Sequence, residues 1–189
     1  MTPHDRTRWT EVDSPVGPLR LVARDGALSA VEFLGEMPDG PGEAASVRVH
    51  AARAAAGGAA APVPGERADD EAVLVAAAAQ LAAYFAGERT DFDLPLAPHG
   101  TPFQQEVWTA LRGIAYGTTA TYGEIAAGLG RTGHGARAVG VANGRNPIPV
   151  IVPCHRVVGA SGALTGYGGG MDRKRVLLEL EGALEPRLL

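Results

Sequence analysis

The sequence predicts an α+β chain in two parts, strands first and helices after. Three observations carry this. Residues 9–34 alternate apolar and polar around turn residues, as strands do. After residue 100 the apolar residues recur at helical spacing behind two Thr caps. Charge divides the same way: residues 112–175 hold eight basic and two acidic residues, a net +6, so with −4 overall the remainder carries −10. The 189 residues contain 26 Gly and 14 Pro, an excess that predicts many loops or an insert. The boundaries predicted are an N-terminal α/β part at 1–94, a linker at 95–100 and a C-terminal part at 101–189.

In the N-terminal part, residues 9–12 and 19–23 flank the turn residues Ser14 to Pro18. Asp25-Gly26 then separates 19–23 from 28–34, the signature of a two-residue hairpin. Residues 38–70 are rich in Gly, Ala and Pro and read as a flexible insert, with 47–56 able to form one strand or helix within it. A helix follows from about Asp70, capped by Asp69 or Asp70. Val73, Ala77, Leu81 and Phe85 form its buried face, and Gly87 stops it.

In the C-terminal part, Thr101 caps a helix with Pro102 at its first position and Phe103, Val107 and Leu111 on one face. Thr121 and Glu124 form a capping box for a second helix, with Ile125 and Leu129 buried. A turn at 131–135 leads to a short third helix at 136–142. Two short helices around a Gly-containing turn, inside the basic stretch, form a helix-turn-helix pattern, although many helical hairpins never meet DNA. Residues 150–152 are apolar and read as a short buried strand leading to Cys154.

Cys154 is the one cysteine, which excludes an internal disulfide and cysteine-rich zinc sites. With no apolar leader at the start and no stretch long enough to cross a bilayer, the expectation is a soluble cytoplasmic protein away from membranes. A lone cysteine is most often a small buried hydrophobe. Here His155 and Arg156 follow it, and a neighbouring base or positive charge lowers a thiol's pKa and raises the reactive thiolate fraction. Spacing alone makes Cys154 a candidate nucleophile.

NGRNPIPVIVPCHRVV at 143–158, GALTGYGGG at 162–170 and KRVLLELEG at 174–182 together resemble the methylated-DNA–protein-cysteine methyltransferases, the O6-alkylguanine-DNA alkyltransferases. FQQEVW at 103–108, TYGE at 121–124 and RAVG at 137–140 extend the resemblance over 101–182, and DSPVGPL at 13–19 matches the first hairpin more loosely. The resemblance implies a ribonuclease-H-like α/β N-terminal domain and a mostly helical winged-helix C-terminal domain. It implies repair by irreversible, single-turnover transfer of an alkyl group from O6-alkylguanine, and secondarily O4-alkylthymine, without metal or cofactor. The partner is double-stranded DNA, bound through its minor groove by a monomer with the damaged base flipped out.

Residue by residue, the resemblance makes Cys154 the alkyl acceptor, His155 its base through a water, and Glu181 the carboxylate that orients the histidine. Tyr122 becomes the donor to guanine N3, and Asn146 the support that ties the recognition helix to the active-site loop. Arg137 becomes the finger that fills the place of the extruded base, with Thr121, Ala136, Gly140 and Arg145 beside it on the DNA side. Pro149, Val157, Tyr167, Gly168 and Gly169 would line the pocket for the alkylated base. Many relatives carry Ser or Ala where this chain has Gly168, and the 131–135 turn is one residue longer than the common form. Three other readings use some of the same residues: a lesion-binding relative without transfer, a cysteine hydrolase or peroxidase, and a transcription regulator. The first lacks an acceptor cysteine, the second leaves the basic stretch unexplained, and the third has no need of Cys154, His155 and Glu181 together.

Overall fold

The computed structural model describes residues 6–35, 37 and 65–185, and the chain divides into two compact units, Met1–Pro98 and His99–Leu189. In the first unit β1 (Thr7–Val12), β2 (Leu19–Arg24), β3 (Ala27–Phe33) and β4 (Glu66–Arg67) form one sheet in the order β3-β2-β1-β4. Asp25 and Gly26 have φ of 51° and 76°, the left-handed pair that a tight hairpin turn between β2 and β3 requires. β1 runs antiparallel to β2 with Trp9 opposite Val22, and β4 runs parallel to β1. One helix, α1 (Ala72–Phe85), packs on β1, β2 and β3. Its Val73, Leu74, Ala77, Leu81 and Tyr84 are buried with Leu19, Leu21, Leu28 and Val31 of the sheet. Each such large side chain removed from water contributes about 1.5–3 kcal/mol.

Four expectations change here. The predicted cap Asp69 instead accepts from Thr10 Oγ1 (2.6 Å) and Arg67 Nε (3.0 Å). The helix starts from Glu71 without a side-chain cap, and Tyr84 rather than Phe85 completes the buried face. Of the predicted insert, residues 38–64 lie outside the described residues, as does the strand or helix expected at 47–56, but Glu66 and Arg67 are strand β4. Gly65 just before it has φ 131°, and a Cβ there would collide with the Thr7 backbone, so this glycine permits a close strand approach. Residues 95–97, read as linker, pair with β3: Leu28 N–H donates to Pro95 O and Ala97 N–H to Leu28 O, both 2.8 Å.

The second unit is mostly helical. α2 (Pro102–Leu111) is capped by Thr101 and Gln104, each side chain meeting the other's backbone N–H. Val107, Trp108 and Leu111 are its buried residues. Trp108 Nε1 donates to Ala142 O at 2.9 Å. Phe103, expected on that face, is half-buried beneath the Arg131 guanidinium. β5 (Ala120–Thr121) leads into α3 (Tyr122–Gly128), whose capping box joins Thr121 and Glu124. After the turn, α4 (Gly135–Asn143) packs against α3 and α2. A Cβ on Gly135 would stand 2.8 Å from Arg131 Cβ and 3.2 Å from Ala126 Cβ, so the turn closes on a glycine.

The strand expected at 150–152 is a buried turn. Pro147 and Pro149 supply no N–H for a strand ladder, and Asn146 bridges the segment. Its Oδ1 accepts from Ile148 N–H (3.0 Å) and its Nδ2 donates to Val152 O (2.7 Å). Val150 is held at φ 73° with no exposure, a left-handed backbone that costs a β-branched residue on the order of 1–3 kcal/mol. A 3-10 turn, Cys154–Arg156, then precedes β6 (Val157–Val158), which pairs in parallel with β5. A Gly-rich loop at 159–170 leads to the last helix, α5 (Met171–Leu180).

Candidate active site

Cys154 opens the 3-10 turn and is 5% exposed. The turn places it beside the Asn146 bridge, whose Nδ2 also stands 3.0 Å from Cys154 Sγ. Asn143, near the end of α4, donates to the Cys154 carbonyl at 3.3 Å. One side-chain amide thus braces the segment before the cysteine and a second braces its backbone.

His155 is wholly buried, and its Nε2 lies 2.9 Å from Glu181 Oε1. Arg156 grips the same carboxylate at both oxygens: Nε donates to Oε2 (2.8 Å) and Nη2 to Oε1 (3.0 Å), while Nη1 donates to Ile114 O (2.6 Å). A fork of this kind holds Glu181 ionised. The carboxylate is therefore an acceptor, so the imidazole proton sits on Nε2 and the lone pair on Nδ1. Nδ1 is buried, and no group among the described residues bonds to it. Burial pushes the His155 pKa below its ordinary value, and the Glu181 bond and charge pull it back only in part. The ring is neutral at pH 7, with a free basic nitrogen.

The thiol itself departs from expectation. His155 and Arg156 do not lower its pKa. Both turn toward Glu181, and burial pushes Cys154 up to about 11. Hydrogen bonding from Asn146 and the nearby Lys174 charge act against that rise, followed by the Tyr167 hydroxyl. At neutral pH Cys154 is therefore a protonated thiol. It needs a base at the moment of reaction rather than a standing thiolate.

Tyr122 lies in the first turn of α3, with its hydroxyl 3.3 Å from Thr165 O and 3.4 Å from Gly166 O. Burial, and secondarily the nearness of Cys154, raise its pKa, so it remains a phenol and a donor. Tyr167 is buried, and Gly169 accepts from Arg173 Nη1 at 3.0 Å. Pro149 and Val157 are buried on either side of Cys154 in the chain. Gly168 is half-buried, and a Cβ there would meet only Gly144 O, at 3.5 Å.

A second group gathers apart from the thiol. Thr121, Tyr122, Ala136, Arg137 and Gly140 line an open cavity of about 530 Å³ between α3 and α4, together with Gly123, Val141 and Ala160. Tyr122 belongs to both groups, whereas Arg137 is exposed on α4 and Arg145 is exposed beyond its end. The basic stretch does not present all its charge to solvent. Arg156, Arg173 and Lys174 are buried, and Arg131 pairs with Glu106 at 3.1 Å. Sequence reasoning missed three residues here: Asn143, Arg156 as the partner of Glu181, and Lys174. The sole lysine was visible as such, but only the fold shows it buried. Among the described residues no group of three His, Cys, Asp or Glu side chains is placed to hold a metal, and no helix is long and apolar enough to cross a membrane.

Comparison with known proteins covers both units. Residues 7–98 match the 6-O-methylguanine DNA methyltransferase ribonuclease-like domain, and residues 102–183 match the DNA-binding domain of the same name. The chain is 50% identical over 178 residues to a methylated-DNA–protein-cysteine methyltransferase of Mycobacterium bovis, covering 94% of each. It is 45% identical over 171 residues to that of Methanosarcina acetivorans, covering 90% of this chain and 96% of the relative. The Mycobacterium tuberculosis O6-methylguanine methyltransferase crystal structure superposes with a TM-score of 0.72 at 46% identity, covering 95% of each chain. A Mycobacterium tuberculosis structure in complex with DNA gives 0.73 at 46% identity over 94% of this chain and 92% of that one.

Proposed function

Because this chain belongs to the methylated-DNA–protein-cysteine methyltransferase family, we propose that Cys154 is the residue that takes the alkyl group. The protein's activity is the repair of DNA by alkyl transfer to a cysteine, and Cys154 is the only cysteine in the chain. The observation that carries the assignment is the buried pairing of Glu181 with His155, the residue directly after Cys154 in the chain.

In this reading the thiol proton passes through a water to His155 Nδ1, while Glu181 holds the ring and balances the imidazolium that forms. Sγ attacks the alkyl carbon, an S–C bond forms, and the C–O6 bond breaks with its electron pair left on guanine. Tyr122 donates toward N3 as that charge develops, which is where a positioned donor lowers the barrier. The imidazolium proton passes through solvent to the guanine, which stays in the DNA. A thioether is not reversed by ordinary thiols, so each molecule reacts once, without metal or cofactor.

The substrate is double-stranded DNA carrying O6-alkylguanine, with O4-alkylthymine secondary, and α4 enters the minor groove. Arg137 fills the space of the flipped nucleotide, a role that its exposure beside Ala136 and Gly140 supports. Thr121 and Arg145 flank it toward the phosphates. Asn146 positions the thiol, while Pro149, Val157, Tyr167, Gly168 and Gly169 form the pocket of the base. The protein acts as a monomer in the cytoplasm, whose reducing conditions keep a nucleophilic thiol free. Label transfer from a duplex carrying radioactive O6-methylguanine tests the assignment. Cys154→Ala abolishes transfer and leaves lesion binding in a mobility shift; transfer retained by that variant refutes it.

A further inference from the structure

Lys174, in the first half of α5, has no solvent exposure. Burying an ammonium is expensive unless fixed acceptors replace its water. Lys174 Nζ meets two backbone carbonyls, donating to Val157 O at 2.5 Å and to Thr165 O at 2.7 Å. No carboxylate pairs with it among the described residues, and it lies near enough to Cys154 to favour that group's thiolate form. The first carbonyl belongs to β6, which pairs with the strand leading into Tyr122. The second lies in the Gly-rich loop at 159–170.

The Thr165 carbonyl has a second donor, the Tyr122 hydroxyl at 3.3 Å. That hydroxyl has one proton. It cannot serve the loop carbonyls and guanine N3 together, so the transfer step requires it to leave the loop. Without Lys174 the Tyr122 hydroxyl would be that carbonyl's one side-chain donor among the described residues. With Lys174 in place the Thr165 carbonyl keeps its stronger, shorter partner.

We propose that Lys174 is a positioning residue of the transfer reaction: it holds the 159–170 loop through Thr165 while the Tyr122 hydroxyl exchanges that carbonyl for the departing guanine. The inference rests on the transferase reading above. It also explains why a lysine occupies the site. A compact ammonium on a flexible stem brings rotatable donors to two carbonyls at close range, whereas a guanidinium offers its donors in a fixed planar fork.

The test is a double-mutant cycle on the full-length protein, read by single-turnover transfer from an O6-methylguanine duplex at saturating DNA and by the Kd for the same duplex. Lys174→Met keeps most of the stem and removes the donors. It lowers the transfer rate about ten- to a hundredfold with Kd within about twofold. Tyr122→Phe slows the wild type strongly but adds less in the Lys174→Met background, where the Tyr122 hydroxyl is the remaining donor to the Thr165 carbonyl and is held away from N3. Equal factors in both backgrounds, or a wild-type rate for Lys174→Met, would overturn the proposal. Should Lys174→Met not fold, amide exchange in Tyr122→Phe decides, since Lys174 there still holds the loop. Protection of residues 164–170 at the wild-type level supports the proposal, and a tenfold loss of it refutes it. A wild-type protein that transfers nothing overturns the transferase reading and this inference together, whereas wild-type transfer with additive costs overturns the inference alone.

Discussion

One basic stretch supplies two opposite kinds of cation. Arg156, Arg173 and Lys174 are buried, held by Glu181 or by backbone carbonyls. Arg112, Arg137 and Arg145 are exposed. The buried set has no water to share and is fixed by short bonds, so it sets geometry around the thiol. The exposed set is free to exchange water for phosphate. A net charge counted along the sequence merges these two jobs, and only burial separates them.

The sharpest way to break the comparison is to remove an acceptor from each kind. Glu181→Ala leaves Arg156 and His155 facing an empty buried site. It should cost about 3–5 kcal/mol of stability in a urea melt and slow transfer about a hundredfold or more. Glu106→Ala, which frees exposed Arg131, should cost at most about 1 kcal/mol. Equal costs would show that burial does not divide the cations as described.

Arg137→Ala should slow repair of duplex DNA about ten- to a hundredfold while leaving reaction with a free O6-alkylguanine base within about twofold. Equal losses on both substrates would remove Arg137 from any role in extruding the base. If Arg112 and Arg145 each meet one phosphate, the logarithm of DNA affinity falls with the logarithm of salt at a slope of about −2. Reaction with the free base should not respond to salt.

pH probes the buried set. The folded-state pKa of His155 lies below its unfolded value of 6.5. The unfolded chain therefore binds a proton that the native state refuses, and the stability held above about pH 6.5 is lost as pH falls. Transfer should fall only at lower pH, through the folded-state pKa of His155, and stay level from pH 7 to 8 because a neutral His155 takes the thiol proton. A standing thiolate would give a different profile. With Cys154 near 11, free ionisation would raise the rate about tenfold per pH unit over that range, and single-turnover rates distinguish the two. The smallest effect is expected for Gly168→Ser. An added Cβ there makes ordinary contact with Gly144 O, so stability should stay within about 0.5 kcal/mol and transfer within a few-fold.

Local chemistry was legible where it acts within a few residues. Asp25-Gly26 announced its hairpin because few other pairs accept two positive φ angles, and Thr121 with Glu124 announced a cap because the bonds span three residues. The N-terminus of α1 was not legible in this way, since Thr10 and Arg67 claim Asp69 through tertiary contacts. The turn before Cys154 was hidden because apolar Val150, Ile151 and Val152 mimic a strand, while the deciding bonds come from the Asn146 side chain. Cys154, His155 and Glu181 were legible as a set through the family motifs. The direction of the thiol's pKa was not, because adjacency to His155 and Arg156 says nothing of where those side chains turn. Lys174 shows the same limit: its charge is written in the sequence, and its burial only in the fold.

The most direct test of the account is the intact mass of the protein after mixing it with one equivalent of duplex bearing a single O6-methylguanine. The account predicts a gain of one methylene's mass, located on the peptide containing Cys154 and complete after one equivalent. An unchanged mass despite tight binding of the duplex, or a gain on any other residue, would contradict it.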